Sequence, residues 1–312
     1  MTVADRLAAS VGPDHPDPAA VAAIRHFLDD ELDLIVADWD GPGPPLGISK
    51  GRLLATARCP ASVLAEAEPM ALSVPLVEGA ALDVAAAMIA VSDKVPGTQP
   101  WLGALLPVMR QTEPDHAELI ESLSVEDRDE VRERVHAKGE RLRALLGDVR
   151  DVPVTTQEMF RAELAGGRVS LSGRTDLVLG RGARTVVEVK SGSVRPAHVD
   201  EAGFYALVAA MRDGVAPRSV IVVTLDPGVV TDYPVTLDSL EAGAHRVLDA
   251  VRVLVDLDRA VVDGRWPVTT PGEQCAWCGV LERCPDAPDL ARAQAQAATE
   301  PPEIDDDEHE PW

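Results

Sequence analysis

Val169-Ser170-Leu171-Ser172-Gly173-Arg174-Thr175-Asp176-Leu177-Val178-Leu179, followed by Gly180-Arg181-Gly182 and then Thr185-Val186-Val187-Glu188-Val189-Lys190-Ser191-Gly192, is the stretch that decides the fold. Apolar and polar residues alternate in the first run, the glycines supply a turn, and the second run is rich in β-branched residues, so the pattern predicts a β-hairpin. Alternate side chains of a strand share a face. Glu188 and Lys190 therefore point one way and Val187 and Val189 the other, while Asp176 shares its face with Ser170, Ser172 and Arg174. A turn centred on Gly182 sets Asp176 opposite Glu188. Two carboxylates and an ammonium then meet on one sheet face. Hard oxygen ligands of this kind suit Mg²⁺ or Mn²⁺, which polarises a phosphoryl oxygen and generates a nucleophile, while a lysine orients water or offsets charge. The same residues on a solvated sheet face would form ordinary cross-strand charge pairs, and the hairpin by itself does not choose between the two.

Outward from the hairpin the pattern alternates between strand and helix. A helix is predicted from Pro196 to about Arg212, a buried strand from Ser219 to Leu225, and a long amphipathic helix from Ser239 to Val262. On the N-terminal side, Ala61 to about Val149 is mostly helical, with breaks at Pro75, Pro96, Pro100 and Pro114, and strands begin at Val152. The expected architecture is an α/β protein with a mixed central sheet flanked by helices. No Gly-x-x-x-x-Gly-Lys phosphate loop is present, so no ATP-driven motor is visible. The most apolar run, Ala80 to Val91, contains Asp83 and is too short to span a bilayer, so no membrane partner is expected and the protein reads as cytoplasmic.

The chain has four cysteines: Cys59, then Cys275, Cys278 and Cys284 in a C-x2-C-x5-C array within a loop-like stretch. Four thiolates complete a tetrahedral set for a structural Zn²⁺ or for an iron–sulfur cluster. Disulfides are disfavoured in a reducing compartment, and the clustering disfavours unrelated buried thiols. Cys59 precedes the carboxylate hairpin and the other three follow it, so such a site would close the domain end to end.

Three motifs in this order carry a resemblance. Ile48-Ser49-Lys50-Gly51-Arg52-Leu53…Cys59-Pro60, then Gly173-x-x-Asp176…Glu188-Val189-Lys190, and finally Gly264-Arg265-Trp266-Pro267…Cys275…Cys278…Cys284-Pro285 resemble the RecB-like nucleases of the PD-(D/E)XK superfamily. By arrangement they are similar to the AddB-type nuclease domain and to CRISPR-associated RecB-like exonucleases. The resemblance covers roughly residues 48–285. It implies a restriction-endonuclease-like fold and a Mg²⁺- or Mn²⁺-dependent deoxyribonuclease, exonucleolytic or directed to single strands and duplex ends, serving DNA repair, recombination or defence beside a helicase or defence-complex partner. It further implies that Asp176, Glu188 and the Val189 carbonyl hold the metal with Lys190 beside it, and that His136, on an upstream helix, is a further ligand, His116 being the alternative. Cys59, Cys275, Cys278 and Cys284 would hold a 4Fe-4S cluster, with structural Zn²⁺ the alternative. The family's Gln-x-x-x-Tyr falls on Glu201 and Tyr205. Glutamate for glutamine is a departure that adds negative charge near phosphate. A cluster-stabilised DNA-binding or scaffold subunit with an impaired active site is the alternative reading.

The formal charge is −23. Residues 1–48 hold nine acids against Arg6 and Arg25, and residues 286–312 hold nine against Arg292, so most of the excess lies in the flanks. The expected organisation is an acidic Pro/Gly-rich segment with a short helix (1–48), a nuclease domain (49–285) with a largely helical insertion (61–150), and an acidic, disordered tail (286–312). DNA needs cations to meet its phosphates, and Lys50, Arg52 and Arg58 are the expected contacts.

Overall fold

The structure, a computed structural model, describes residues 1–8, 12–39, 41, 45–67, 73–92 and 100–287. Of the acidic tail, 288–312 lies outside the described residues, as does the break expected at Pro96. In chain order the elements are α1 (Val3–Leu7), α2 (Pro18–Ile35), β1 (Leu46–Ser49), α3 (Lys50–Arg58), α4 (Val74–Val91), α5 (Trp101–Thr112), α6 (Pro114–Ser122), α7 (Val125–Leu146), β2 (Val154–Leu164), β3 (Val169–Leu179), β4 (Thr185–Lys190), α8 (Ala197–Asp213), β5 (Ser219–Thr224), β6 (Val229–Pro234) and α9 (Leu237–Val262). The chain divides into two compact units, one of residues 1–54 and 70–252, the other of residues 55–69 and 253–312.

The first unit is a mixed α/β body around one mixed sheet. β3 and β4 form the expected antiparallel hairpin, in the register Leu177 to Val187 and Leu179 to Thr185, and Gly180 and Gly182 take the positive φ values (92° and 66°) that let the chain turn. β4 and β5 run parallel, and α8 supplies their crossover. β6, a strand the sequence pattern does not announce, closes the far edge antiparallel to β5.

What positions the site is the length of β3. β2 pairs with it antiparallel from Val169 to Leu179, occupying one edge for the whole strand. β1 pairs in parallel at Val169–Ser172 and β4 at Leu177–Leu179, so both must share the other edge. Between them, residues 173–176 have no strand partner on that side. The sheet forks there.

Each face of the sheet is covered. Leu177, Leu179, Val187, Val189, Ile221 and Val223 form one core with the helices α4 to α7, which are therefore packed on the sheet. Fully buried Trp101 anchors this layer: a Cβ added to Gly139 would lie 2.9 Å from the Trp101 ring, so α5 and α7 approach as closely as they do because position 139 has no side chain. α8 packs on β2, β3 and β5. Its Phe204, Tyr205, Leu207, Val208 and Met211 are all buried.

α4 corrects an expectation. Pro75 starts this helix in its first turn, where a missing N–H costs nothing, so the apolar run extends over 18 residues. By length and composition alone that suffices to cross a bilayer, but half of it is buried inside the protein. Its Glu78 is buried and ion-paired with Arg134 and Lys138 of α7.

In the second unit, Cys59 is followed by a 3-10 segment (Pro60–Ala67), and the late cysteines lie in two further 3-10 turns (Glu273–Trp277 and Leu281–Arg283) and their ends. The Ala61 N–H donates to the Val268 carbonyl at 3.1 Å, tying the early piece of chain to the late one.

Candidate active site

The fork gathers most of the residues expected from the sequence. Asp176 and Glu188 are 9% and 5% exposed. Asp176 turns its Oδ2 toward the backbone N–H of Val189, which donates at 2.7 Å. A side chain thus takes over where the β3–β4 ladder stops. Opposite Asp176 on β2, Gln157 adopts a left-handed φ of 52°, and its pair is the one missing from an otherwise continuous ladder. Strained backbone beside functional groups is a recurrent arrangement.

Glu188 uses its two oxygens unequally. Oε1 receives Lys50 Nζ at 2.9 Å, Lys190 Nζ at 2.8 Å and the Tyr205 hydroxyl at 3.4 Å. Oε2 is buried without any hydrogen-bond partner. Glu201, one turn before Tyr205 on α8, is ion-paired through Oε2 to Lys190 at 2.7 Å and to Lys50 at 3.3 Å. Tyr205 also donates to the Arg174 carbonyl at 3.0 Å, one of the groups left without a strand partner in the fork. Its ring lies where a Cβ on Gly173 would stand, 2.9 Å from Cε1, so this approach requires glycine at 173.

A further acid, Asp83 of α4, joins the cluster electrostatically. Burial pushes its carboxyl up to about 7, with the Glu188 charge adding and Arg174 and Lys190 opposing. Asp176 is driven well above the ordinary carboxylate range by burial, then by Glu188 and Asp83, against the Val189 N–H and Lys190. For Lys50 and Lys190 burial works against the charge, but the attraction of Glu188 and Glu201 outweighs it and both are raised. Glu201 is lowered, since the two lysines outweigh its burial. Burial and Glu188 raise Tyr205.

Lys50 was expected at the DNA-binding surface with Arg52 and Arg58; it lies inside the acid cluster, with its ammonium also 5.3 Å from the centre of the Tyr205 ring. The reason is its position directly after β1, which ends beside the fork. Arg52 donates to the Gly47 carbonyl at 2.9 Å, bracing the β1–α3 junction, and Arg58 is exposed at the end of α3. His136, expected as a metal ligand, takes part in none of the hydrogen bonds or ion pairs of the cluster, and its Nδ1 is buried without a partner. Asp83 is the helix-borne group that reaches the site. The signal for it was present: it is the sole charge in the run from Ala80 to Val91. His116 is paired with Glu113 at 3.4 Å, and Glu113 in turn with Arg174 at 3.7 Å, at the margin of the site.

Among the described residues no group of three or more His, Cys, Asp or Glu side chains is arranged to enclose a metal ion. The chemistry of the fork nevertheless fits a divalent cation. Asp83, Asp176, Glu188 and Glu201 set four carboxyls against the ammoniums of Lys50 and Lys190, two negative charges in excess when all are ionised, and Glu188 Oε2 is a buried acceptor with nothing to accept.

In the second unit the four cysteines are free thiols. Thr270 N–H points at Cys59 Sγ at 3.3 Å and Gly272 N–H at Cys275 Sγ at 3.4 Å. Burial raises the Cys278 thiol, and Cys59, Cys275 and Cys284 raise it further, so each of these three lies within electrostatic reach of Cys278. Backbone amides face two of the sulfurs, but among the described residues the four thiols are not arranged to enclose a metal ion.

A forked mixed sheet, with an acid on one hairpin strand and an acid-x-lysine on the next, defines the class: a restriction-endonuclease-like protein with a carboxylate–lysine site. The chain matches the PD-(D/E)XK nuclease superfamily over residues 52–285 and belongs to that family of hydrolytic nucleases. Among solved structures it is similar to the crystal structure of SSO0001, at 15% identity and a TM-score of 0.37, over 84% of this chain and 96% of that one. No curated protein matches it.

Proposed function

We propose that the protein is a Mg²⁺- or Mn²⁺-dependent deoxyribonuclease of the RecB-like type, acting on single strands or duplex ends, with its chemistry at the fork of β3. The observation that carries this reading is Glu188: one buried oxygen without a partner, beside Asp176 and 2.8 Å from Lys190 through the other. Asp176, Glu188 and the Val189 carbonyl would hold the cation, with Asp83 as a further acid in place of His136. Bound there, the ion supplies charge stabilisation at the scissile phosphate and an activated water. The protein's own groups do the positioning. Lys190, fixed between Glu188 and Glu201, offers a proton-bearing ammonium at the reacting phosphate. Tyr205 ties Glu188 to the backbone of the fork and limits its rotation.

Four thiols and the amides that face two of them support a 4Fe-4S cluster at Cys59, Cys275, Cys278 and Cys284, with Zn²⁺ as the alternative occupant. The proposed role is that of a cytoplasmic nuclease of DNA repair or defence, working beside a helicase or complex partner. Arg52 and Arg58 remain proposed DNA contacts.

The test is incubation of the purified protein with labelled single-stranded and duplex DNA and Mn²⁺, beside Asp176→Ala and Lys190→Ala. Cleavage by the wild type, with both variants reduced by at least about 10²-fold, is expected. A wild type that cuts nothing, or variants that cut equally well, overturns the assignment and favours a DNA-binding subunit.

A further inference from the structure

Glu188 Oε1 is over-subscribed: two ammoniums and a phenol converge on it while Oε2 has none. That arrangement is stable only while no divalent ion sits on the carboxylate. A cation bound there repels the ammoniums, and each must lean on its remaining partner, which is Glu201 for both. The two lysines are not equivalent. Lys190 lies closer to Glu201 (2.7 Å against 3.3 Å) and is the more enclosed, with 20% of its side chain exposed against 28% for Lys50. Lys50 is therefore the more exposed of the two lysine side chains and the more weakly held by Glu201. Its backbone is fixed, because β1 pairs with β3 at residues 169–172 beside the fork.

We propose that Lys50 is a second lysine of the active site, one that contacts the phosphate being cut once metal has displaced it from Glu188, and that Glu201 is the positioning residue that keeps it there. This rests on the nuclease reading above and extends it. It also gives the carboxylate at 201 a use: it ion-pairs with both lysines, so its negative charge is matched within the cluster.

The experiment compares wild type with Lys50→Met, Lys50→Arg, Glu201→Gln and the Lys50→Met/Glu201→Gln double variant. Binding of a fluorescein-labelled oligonucleotide is titrated across salt concentrations with Ca²⁺ in place of Mn²⁺, and Mn²⁺ binding without DNA is followed by electron paramagnetic resonance. One lost phosphate contact lowers the slope of log K against log salt by about 0.7 for a single strand and about 0.9 for duplex. Lys50→Met is expected to show that loss and a raised KM, with Mn²⁺ bound as tightly as in wild type or tighter. Lys50→Arg should keep the slope. Glu201→Gln should raise KM while keeping most of the slope, and the double variant should bind DNA no worse than Lys50→Met. An unchanged slope and KM in Lys50→Met, or weakened Mn²⁺ binding in that variant, overturns the proposal. The underlying reading fails differently: a wild type that binds no DNA sinks both, whereas a wild type that binds DNA beside a Lys50→Met of equal slope sinks Lys50 alone.

Discussion

Removing metal should make this protein less stable as pH rises, and Asp83→Asn should abolish much of that dependence. The sign follows from where the proton sits. Burial and Glu188 hold the Asp83 carboxyl at about 7 in the fold against 3.8 for the free group. Between those values the folded state keeps a proton that the unfolded chain has released. Stability from this group is present in full below the unfolded value and is lost as pH rises through the folded one. A gap of roughly three pH units corresponds to at most about 4 kcal/mol, a large share of the ~5–15 kcal/mol that holds a domain together. Asp176 is shifted in the same direction and adds to the trend. The assay is urea unfolding in EDTA at pH 5.5 and 8.0 for wild type and Asp83→Asn, repeated with Mn²⁺. The quantity that matters is the difference between the two proteins, which cancels the titration of every group that does not interact with Asp83. Wild type should lose more stability than the variant on going to pH 8.0, and Mn²⁺ should return more to the wild type. A variant that follows the wild type at both pH values would refute the claim that the surroundings of Asp83 hold a proton on its carboxyl.

Three other outcomes are expected. Gly173→Ala pushes a methyl to 2.9 Å from Tyr205 Cε1, so it should cost about 1–3 kcal/mol in unfolding and lower kcat by loosening Tyr205 from Glu188; an unchanged melt and rate would count against the close approach. Gly139→Ala meets the fully buried Trp101 ring at the same distance and should destabilise by a similar amount in denaturant titrations, with no direct effect on the fork. Cys278→Ser should lose bound iron and any brown absorbance near ~400 nm; colourless wild type with stoichiometric zinc would replace the cluster by Zn²⁺, and no bound metal at all would remove the site.

The hairpin, α8, β5 and α9 were legible because each carries its own periodicity. The hairpin needed only alternation and two glycines, and its register from a turn at Gly182 agrees with the pairing of Leu177 and Val187. The start of α9 at Leu237, two residues before the predicted Ser239, comes from a reciprocal cap between Thr236 and Ser239 that periodicity does not register. β1 was hidden because four residues flanked by Pro and Gly have no pattern; β3 and its partners make them a strand. The surroundings of Lys50 and the bearing of Asp83 on the site were not legible for a related reason. Each was read from its neighbours in sequence, as part of a basic patch or an apolar run, whereas its role comes from contacts made across the chain. The cysteine spacing grouped the late triplet, but periodicity did not show that Cys59 and that triplet share one compact unit.

The fork also ties the proposed catalytic groups to the backbone of the sheet. Where β1 and β4 part, β3 presents backbone and side-chain polar groups that a neighbouring strand would otherwise satisfy, and burying such groups unpaired costs about 1–3 kcal/mol each. Tyr205 caps the Arg174 carbonyl and Asp176 captures the Val189 N–H, so the site's own side chains close the gap. Those same two residues then bear on Glu188, one by hydrogen bond and the other by charge. Removing either exposes a backbone group. A site built in a sheet's unpaired stretch cannot be loosened without loosening the sheet, which holds its carboxylates together at the cost of their mutual repulsion.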